Sequence, residues 1–281
     1  MSVGADPKQD FLTDLMTNIY FFDIDNTLLD HATMAVPASA LAAIATLRRA
    51  GHTVVIATGR SYGHAKTIVD QIQPSYVITQ NGARILKDDQ EVLAIPLPRA
   101  PLLALFDWIR AQGHVFGINN GNEGYVSEPL SWVVEAMGSV AMAVQSDSRF
   151  YLTQDVYQGW LFFDESLDSQ LYPEILRRFP EFDLVRWHPR VLDVMPRDVN
   201  KWTACQWVMA QTGFAPQQAI AFGDGLNDIE MLQGAGVGVA MGNAHPSAKA
   251  AADHVAPALH LDGIATMLEE LAQRRLGGQA G

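Results

Sequence analysis

Cysteine is almost absent: Cys205 stands alone among 281 residues. One thiol excludes internal disulfides and any zinc site built on cysteines. Cys205 lies in the apolar stretch "KWTACQWVMA", which reads as a helix with the thiol as a small core residue. Lysine is scarce too, five in the whole chain, and the formal net charge is −12. A nucleic-acid footprint needs clustered Lys and Arg, and anionic lipid needs a polybasic run, so neither is an expected partner. No apolar run approaches the roughly 18 residues that cross a bilayer. The opening "MSVGADPKQDFLTDLMTN" has no basic n-region and no continuous apolar stretch, unlike a signal peptide. Its first dozen residues read as a loose leader. These absences together favour a cytoplasmic protein.

Several chemistries are missing as well. There is no G-x-x-x-x-G-K-[ST] phosphate loop, no H-E-x-x-H zinc helix and no G-x-S-x-G nucleophile elbow. The spaced glycines of "GAGVGVAMG" precede a strand instead of following one, which argues against a dinucleotide fingerprint. An EF-hand loop starting at Asp23 would need Gly at its sixth position and Glu at its twelfth, where Leu28 and Met34 stand.

What is present is an ordinary globular composition, 48% hydrophobic and 18% charged, in a chain long enough for two domains. Strand and helix signals alternate from Asn18. Strands are expected at Asn18–Phe22, Thr53–Ala57 and Tyr76–Thr79, with helices at Pro37–Ala50 and Tyr62–Ile72 between them. The alternation returns near the C-terminus, with helices over Asn200–Thr212, Asn227–Gly234 and Leu261–Leu276 and strands at Ala219–Phe222 and Val237–Ala240. Short, fully apolar strands separated by helices imply a parallel sheet covered on both faces. The middle third differs. "RILKDDQEVLAI" reads as a hairpin, and later strands pair with sequence neighbours around helices at Pro101–Gln112 and Asp168–Phe179. The expected architecture is therefore α/β: a Rossmann-like, doubly wound core of residues 1–84 and 193–281, with an inserted α+β domain at 85–192. The tail "GGQAG" reads as flexible.

Four stretches carry chemistry. "IYFFDIDNTLLD" ends a buried strand on Asp23 and Asp25, at the strand end where open parallel sheets place ligands. Ile24 faces the other way, so both carboxylates can enter one crevice. Carboxylates that close repel unless a cation or proton lies between them. A solvated turn built on Asn26 and Thr27 is the plain alternative. In "VVIATGR", Thr58 and Gly59 follow a strand, which suits either a phosphate oxygen or a helix N-cap. Lys201 opens an apolar helix, where the macrodipole disfavours a cation unless an anion offsets it; a surface lysine is the alternative. "AIAFGDGLNDIEML" runs a strand into Gly-Asp-Gly and starts a helix at Asn227 and Asp228. Asp224 repeats the geometry of Asp23, and a hard divalent cation is its natural binder.

Taken in order, Asp23-x-Asp25-x-Thr27, Thr58, Lys201 and Gly223-Asp224-x-x-Asn227-Asp228 resemble the haloacid dehalogenase superfamily of phosphohydrolases. The insertion resembles the α/β (type IIB) cap of its Cof-type subfamily, whose habits "QNGA" and "AMGNA" also match. The resemblance implies an Mg²⁺-dependent phosphatase of small phosphorylated metabolites, sugar phosphates foremost. It assigns Asp23 as the nucleophile that becomes an aspartyl-phosphate and Asp25 as general acid and then base. Thr58, Gly59, Lys201 and Asn227 would hold the phosphoryl group. Asp23, Asp224 and the backbone carbonyl of Asp25 would bind Mg²⁺, with Asp228 and Asn227 supporting that metal site. The family usually has Gly where Asn26 stands, and Asn tolerates left-handed backbone better than most residues, so the loop is expected to survive. Candidates for cap contacts to the leaving group are Asn119, Asn120, Glu123, Tyr125, Trp160 and His188, with plain packing or surface exposure the alternative for each, as for His31 one turn past the catalytic loop. A phosphotransferase or phosphomutase, which would pass the phosphoryl group to a sugar hydroxyl, and a non-catalytic sugar-phosphate sensor are the alternatives. A sensor has no need of both Asp23 and Asp25.

Overall fold

The computed structural model describes residues 17–119, 124–139, 142–147 and 149–278. The expected leader and the end of the tail lie outside them. Fourteen strands are seen among the described residues, in two sheets. In chain order they are β1 (Ile19–Phe22), β2 (Thr53–Ala57), β3 (Tyr76–Thr79), β4 (Arg84–Lys87), β5 (Gln90–Ala94), β6 (Val115–Asn119) and β7 (Gly124–Val126). Then come β8 (Val144–Ser146), β9 (Gln158–Phe162), β10 (Phe182–His188), β11 (Val191–Pro196), β12 (Ala219–Gly223), β13 (Val237–Ala240) and β14 (His254–Val255).

The larger sheet has the order β14-β13-β12-β1-β2-β3-β4-β5. Its first six strands are mutually parallel, and β4 and β5 are antiparallel. All four residues of β1 are buried, as a strand covered by helices on both faces must be. Helix Ala38–Arg49 follows Pro37 and ends in Arg48 and Arg49, cations at the negative end of its dipole. Aromatic rings stack across the sheet centre, with Phe22 and Phe222 centroids 5.0 Å apart. Cys205 is buried in this core, and burial pushes its thiol well above the ordinary value. The thiol is a packing group, as expected.

The smaller sheet has the order β10-β11-β9-β6-β7-β8. It is antiparallel except for β7 and β8, which run parallel because helix Ser131–Gly138 crosses between them. Its two faces alternate residue by residue. Phe116, Leu161 and Val194 pack under helices Arg99–Ala111 and Asp168–Arg178. On the opposite face stand Asn119, Gln158, Trp160 and Asp193, which line a cavity shared with the larger sheet.

One boundary differs from the sequence reading. The hairpin β4–β5, assigned there to the insertion, is hydrogen-bonded to β3 of the larger sheet. Alternating apolar residues announce a hairpin but not which sheet it will extend. At the other end, β11 carries the smaller sheet to Pro196, past the expected boundary at 192. Helices start and stop within about two residues of expectation, as caps and fraying allow. Helix Lys201–Thr212 is capped by the Asn200 side chain, which accepts from the Thr203 N–H at 2.9 Å.

Candidate active site

Strand register assembles the site. Strand β1 lies between β12 and β2, with Phe22 opposite Phe222 and Ile56. The ladder continues one residue further, the Asp23 N–H donating to the Phe222 carbonyl at 3.0 Å. The residue after each strand end therefore arrives at the same rim: Asp23 after β1, Thr58 after β2 and Asp224 after β12. Helix Lys201–Thr212 then delivers Lys201 from across the core.

Lys201 is buried, 1% exposed, and is the only described lysine so placed. Its ammonium donates to Asp23 Oδ1 at 2.7 Å and to Asp228 Oδ1 at 2.6 Å. Burial alone would strip its proton, but Asp228 and Asp23 outweigh burial and hold it charged. The anion that offsets the dipole at this helix start is thus carboxylate. Asp228 is fully buried, and its Oδ2 accepts from the N–H groups of Asp224 and Gly225 at 2.9 Å each. This close approach explains a glycine: a Cβ on Gly223 would meet the Asp228 carboxylate carbon at 2.6 Å.

Oxygens of Asp23, Asp224 and Asp228 all lie within 4.8 Å of one another. Burial first, then Asp228, Asp224 and Asp25, pushes Asp23 well above the ordinary carboxylate range, with Lys201 opposing. Burial and the Asp228 charge likewise raise Asp224 to about 7. Three carboxylates face one ammonium, so the group carries surplus negative charge. A hard divalent cation with oxygen ligands relieves it, and the donor set fits Mg²⁺.

Asp25 stands apart from that group. Arg60 holds its carboxylate in a fork, Nε to Oδ2 at 2.9 Å and Nη2 to Oδ1 at 2.6 Å. His31 Nε2 adds a third contact to Oδ1 at 2.8 Å. Burial would raise Asp25, but the hydrogen bonds from His31 and Arg60 prevail and hold it well below the usual range. Asn26 takes the expected left-handed backbone, φ 56°.

A scan of the chain against family models matches residues 20–268 to the haloacid dehalogenase-like hydrolases. The chain belongs to that family. The Bacillus subtilis (strain 168) protein YkrA, named as a candidate phosphatase, is 35% identical over 91% of this chain and 98% of its own length. The pyridoxal phosphate phosphatase YbhA of Escherichia coli (strain K12) is 27% identical over 90% of this chain and 98% of its own. Among solved structures, a subclass IIB sugar phosphatase superposes with a TM-score of 0.81 at 26% identity, covering 91% of this chain and 99% of that one. Fold, family model and relatives agree on a Cof-type phosphatase of the haloacid dehalogenase family.

Within this phosphatase, a cavity of about 780 Å³ opens between the sheets. Asp23, Asp25, Gly59, Asp224 and Asn227 line it, as do Asn119, Trp160 and His188 of the smaller sheet. Lys201 and Asp228 lie beneath, Lys201 against Asp23 and Asp228 against the N–H groups of Asp224 and Gly225, all three of which line it. Thr58 is fully buried and its hydroxyl oxygen accepts from the Arg60 N–H at 3.1 Å. Ser61 occupies the N-cap position of helix Tyr62–Ile72, so Thr58 is not its N-cap. Tyr125 packs against the core of the smaller sheet instead of lining the cavity, and Asn120 and Glu123 lie outside the described residues. The sequence reading missed three residues. Arg60 and Asn81 stood inside the quoted motifs "VVIATGR" and "QNGA"; Asp193 carried no local signal.

Proposed function

We propose that this phosphatase is Mg²⁺-dependent, acts on small phosphorylated metabolites including sugar phosphates, and works through an aspartyl-phosphate on Asp23. The observation that carries the reading is the buried group of Asp23, Asp224 and Asp228 with Lys201 beside the cavity. Mg²⁺ would be held by Asp23, Asp224 and the backbone carbonyl of Asp25, with Asp228 fixing the loop that carries Asp224. When bound it would neutralise the charge that keeps a phosphate dianion from a carboxylate.

In the first half-reaction an Asp23 oxygen bonds to phosphorus and the bond from phosphorus to the ester oxygen breaks. Asp25, which Arg60 and His31 hold ionised in this structure, takes a proton from solvent as the ester binds and gives it to that leaving oxygen. In the second, Asp25 takes a proton from water, the water oxygen bonds to phosphorus and the Asp23–phosphorus link breaks, releasing inorganic phosphate. Two easier steps replace one hard one. Thr58, Gly59, Lys201 and Asn227 hold the transferring group, with Lys201 supplying charge where the equatorial oxygens spread theirs. The fork from Arg60 fixes the direction from which Asp25 reaches the leaving oxygen.

The inserted segment, which follows β5 and runs to Pro196 at the end of β11, acts as a cap that excludes water and contacts the leaving group. Asn119, Trp160 and His188 are its contact residues, and likeness to the subclass IIB sugar phosphatase supports phosphorylated sugars as substrates. The single buried cysteine accords with a cytoplasmic setting. The test is phosphate release from an aryl phosphate with Mg²⁺, followed by a panel of sugar phosphates and pyridoxal phosphate. Turnover that survives Asp23→Asn, or survives chelation, refutes the reading.

A further inference from the structure

Asp193 is buried, 4% exposed, on the cavity face of β11. No cation answers it among the described residues; neutral N–H donors do. Its Oδ2 accepts from Asn81 Nδ2 at 2.8 Å and from Gln158 Nε2 at 2.7 Å, and its Oδ1 from Trp187 Nε1 at 2.8 Å. Gln158 and Trp187 belong to the smaller sheet, whereas Asn81 follows β3 of the larger one. So complete a donor set around an isolated charge is costly to assemble, and it fixes the sense of every amide that takes part.

Burial raises Asp193 to about 7, so above that pH it is ionised, and an ionised carboxylate accepts and never donates. Asn81 must therefore turn its NH₂ towards Asp193, and its carbonyl oxygen then faces the opposite way. There it accepts from Asn227 Nδ2 at 2.8 Å. Asn227 in turn is left with its carbonyl oxygen facing Gly225, where an added Cβ would lie 2.6 Å from it. One charge on the smaller sheet thus sets two amide orientations in the larger one.

Asn81 is placed to pass that orientation on. Its N–H donates to the Thr58 carbonyl at 3.1 Å, and its side-chain oxygen lies 3.0 Å from where a Cβ of Gly59 would be. Its backbone is left-handed, as are its neighbours': φ is 50° at Gln80, 52° at Asn81 and 105° at Gly82. Two consecutive non-glycine residues in that region are strained and persist only where surroundings impose them. Asn81 is thus held against Thr58, Gly59 and Asn227, the side of the rim assigned above to the phosphoryl group.

We propose that Asp193 is a positioning residue of the phosphatase: acting through Asn81, it orients Asn227 and so ties phosphate binding to the placement of the smaller sheet over the larger. This rests on the phosphate-binding role given above to Asn227. Asp193→Asn keeps the shape but removes the charge, which lets Asn81 and then Asn227 reverse.

The test is a double-mutant cycle at pH 8, where Asp193 is ionised, on the full-length protein with Mg²⁺, reading kcat/KM for an aryl phosphate and the inhibition constant of inorganic phosphate. Asp193→Asn is expected to lower kcat/KM about tenfold and to weaken phosphate inhibition. Made on top of Asn227→Ala it should change either quantity less than about twofold. Equal losses in both backgrounds would mean that Asp193 only packs the sheets, and would overturn the proposal. An unimpaired Asn227→Ala would overturn it as well, with phosphatase activity intact. Absence of wild-type turnover would instead refute the proposed function. Asn81→Ser provides a second route should Asp193→Asn not fold: the same loss, and the same non-additivity with Asn227→Ala, are expected.

Discussion

Lys201 Nζ lies 2.7 Å from Asp23 Oδ1 although 178 residues separate them along the chain. The pair is buried on both sides, with side-chain exposures of 1% and 6%. An ammonium this deep is tolerated because two carboxylates answer it, and they in turn are tolerated because it is there.

Removing the ammonium should therefore unfold more than it disables. Lys201→Met leaves Asp23 and Asp228 buried without a countercharge, and breaking such a group costs about 3–5 kcal/mol. Denaturant unfolding is expected to show that loss at pH 7.5, and added Mg²⁺ should recover part of it. A variant as stable as the parent would mean the carboxylates are not charged as described.

Cation binding and stability should change together with pH. Asp224 and Asp193 are both raised to about 7 by burial. Between the ordinary carboxylate range and about pH 7 the folded protein therefore binds more protons than the unfolded chain. Without added cation, the stability these two groups contribute falls as pH rises through that window, against a smaller opposite contribution from His64, His114 and His188, which burial lowers. Protons also compete with Mg²⁺ at Asp224 below about pH 7. Thermal melts should show cation-free protein less stable at pH 8 than at pH 5, and a larger upward shift with Mg²⁺ at pH 8. Equal shifts at both values would contradict these assignments.

The clamp on Asp25 gives a graded series. Asp25→Asn removes the proton shuttle and should lower kcat by about 10²–10⁴-fold. Arg60→Lys keeps the charge but loses the two-pronged contact, so about a tenfold fall in kcat is expected with KM little changed. His31 is partly exposed, 28% for its side chain, and exposed ion pairs contribute at most about 1 kcal/mol. His31→Ala should accordingly leave denaturant stability almost unaltered. Steady-state kinetics on the Asp25 and Arg60 variants and denaturant unfolding of His31→Ala check these outcomes.

At Gly223 the prediction is steric. Any Cβ there presses on the Asp228 carboxylate, and overpacking of this kind costs about 1–3 kcal/mol. Gly223→Ala should lower the melting temperature and weaken Mg²⁺ binding by calorimetry, because Asp228 holds the N–H groups of Asp224 and Gly225.

Much of this was legible before any coordinates. Hydrophobic runs of the right length gave the parallel strands, and strand ends gave Asp23, Thr58 and Asp224, because both are local signals. Lys201 was legible as an anomaly, a cation at the wrong end of a helix. What stayed hidden depends on partners remote in sequence. Hairpin β4–β5 has the same pattern whichever sheet it joins. Arg60 looks like any arginine after a strand until Asp25 is found in its fork. Asp193 reads as an alternating strand residue, and its bond to Asn81 spans 112 positions.

The most direct test of the account follows a labelled phosphoryl group through one turnover. Protein in excess over an aryl ester carrying labelled phosphorus, with Mg²⁺ present, is quenched in acid within the first turnover. Label on the wild-type protein but not on Asp23→Asn is the predicted result. Release of labelled phosphate at full rate with none ever on the protein would contradict it.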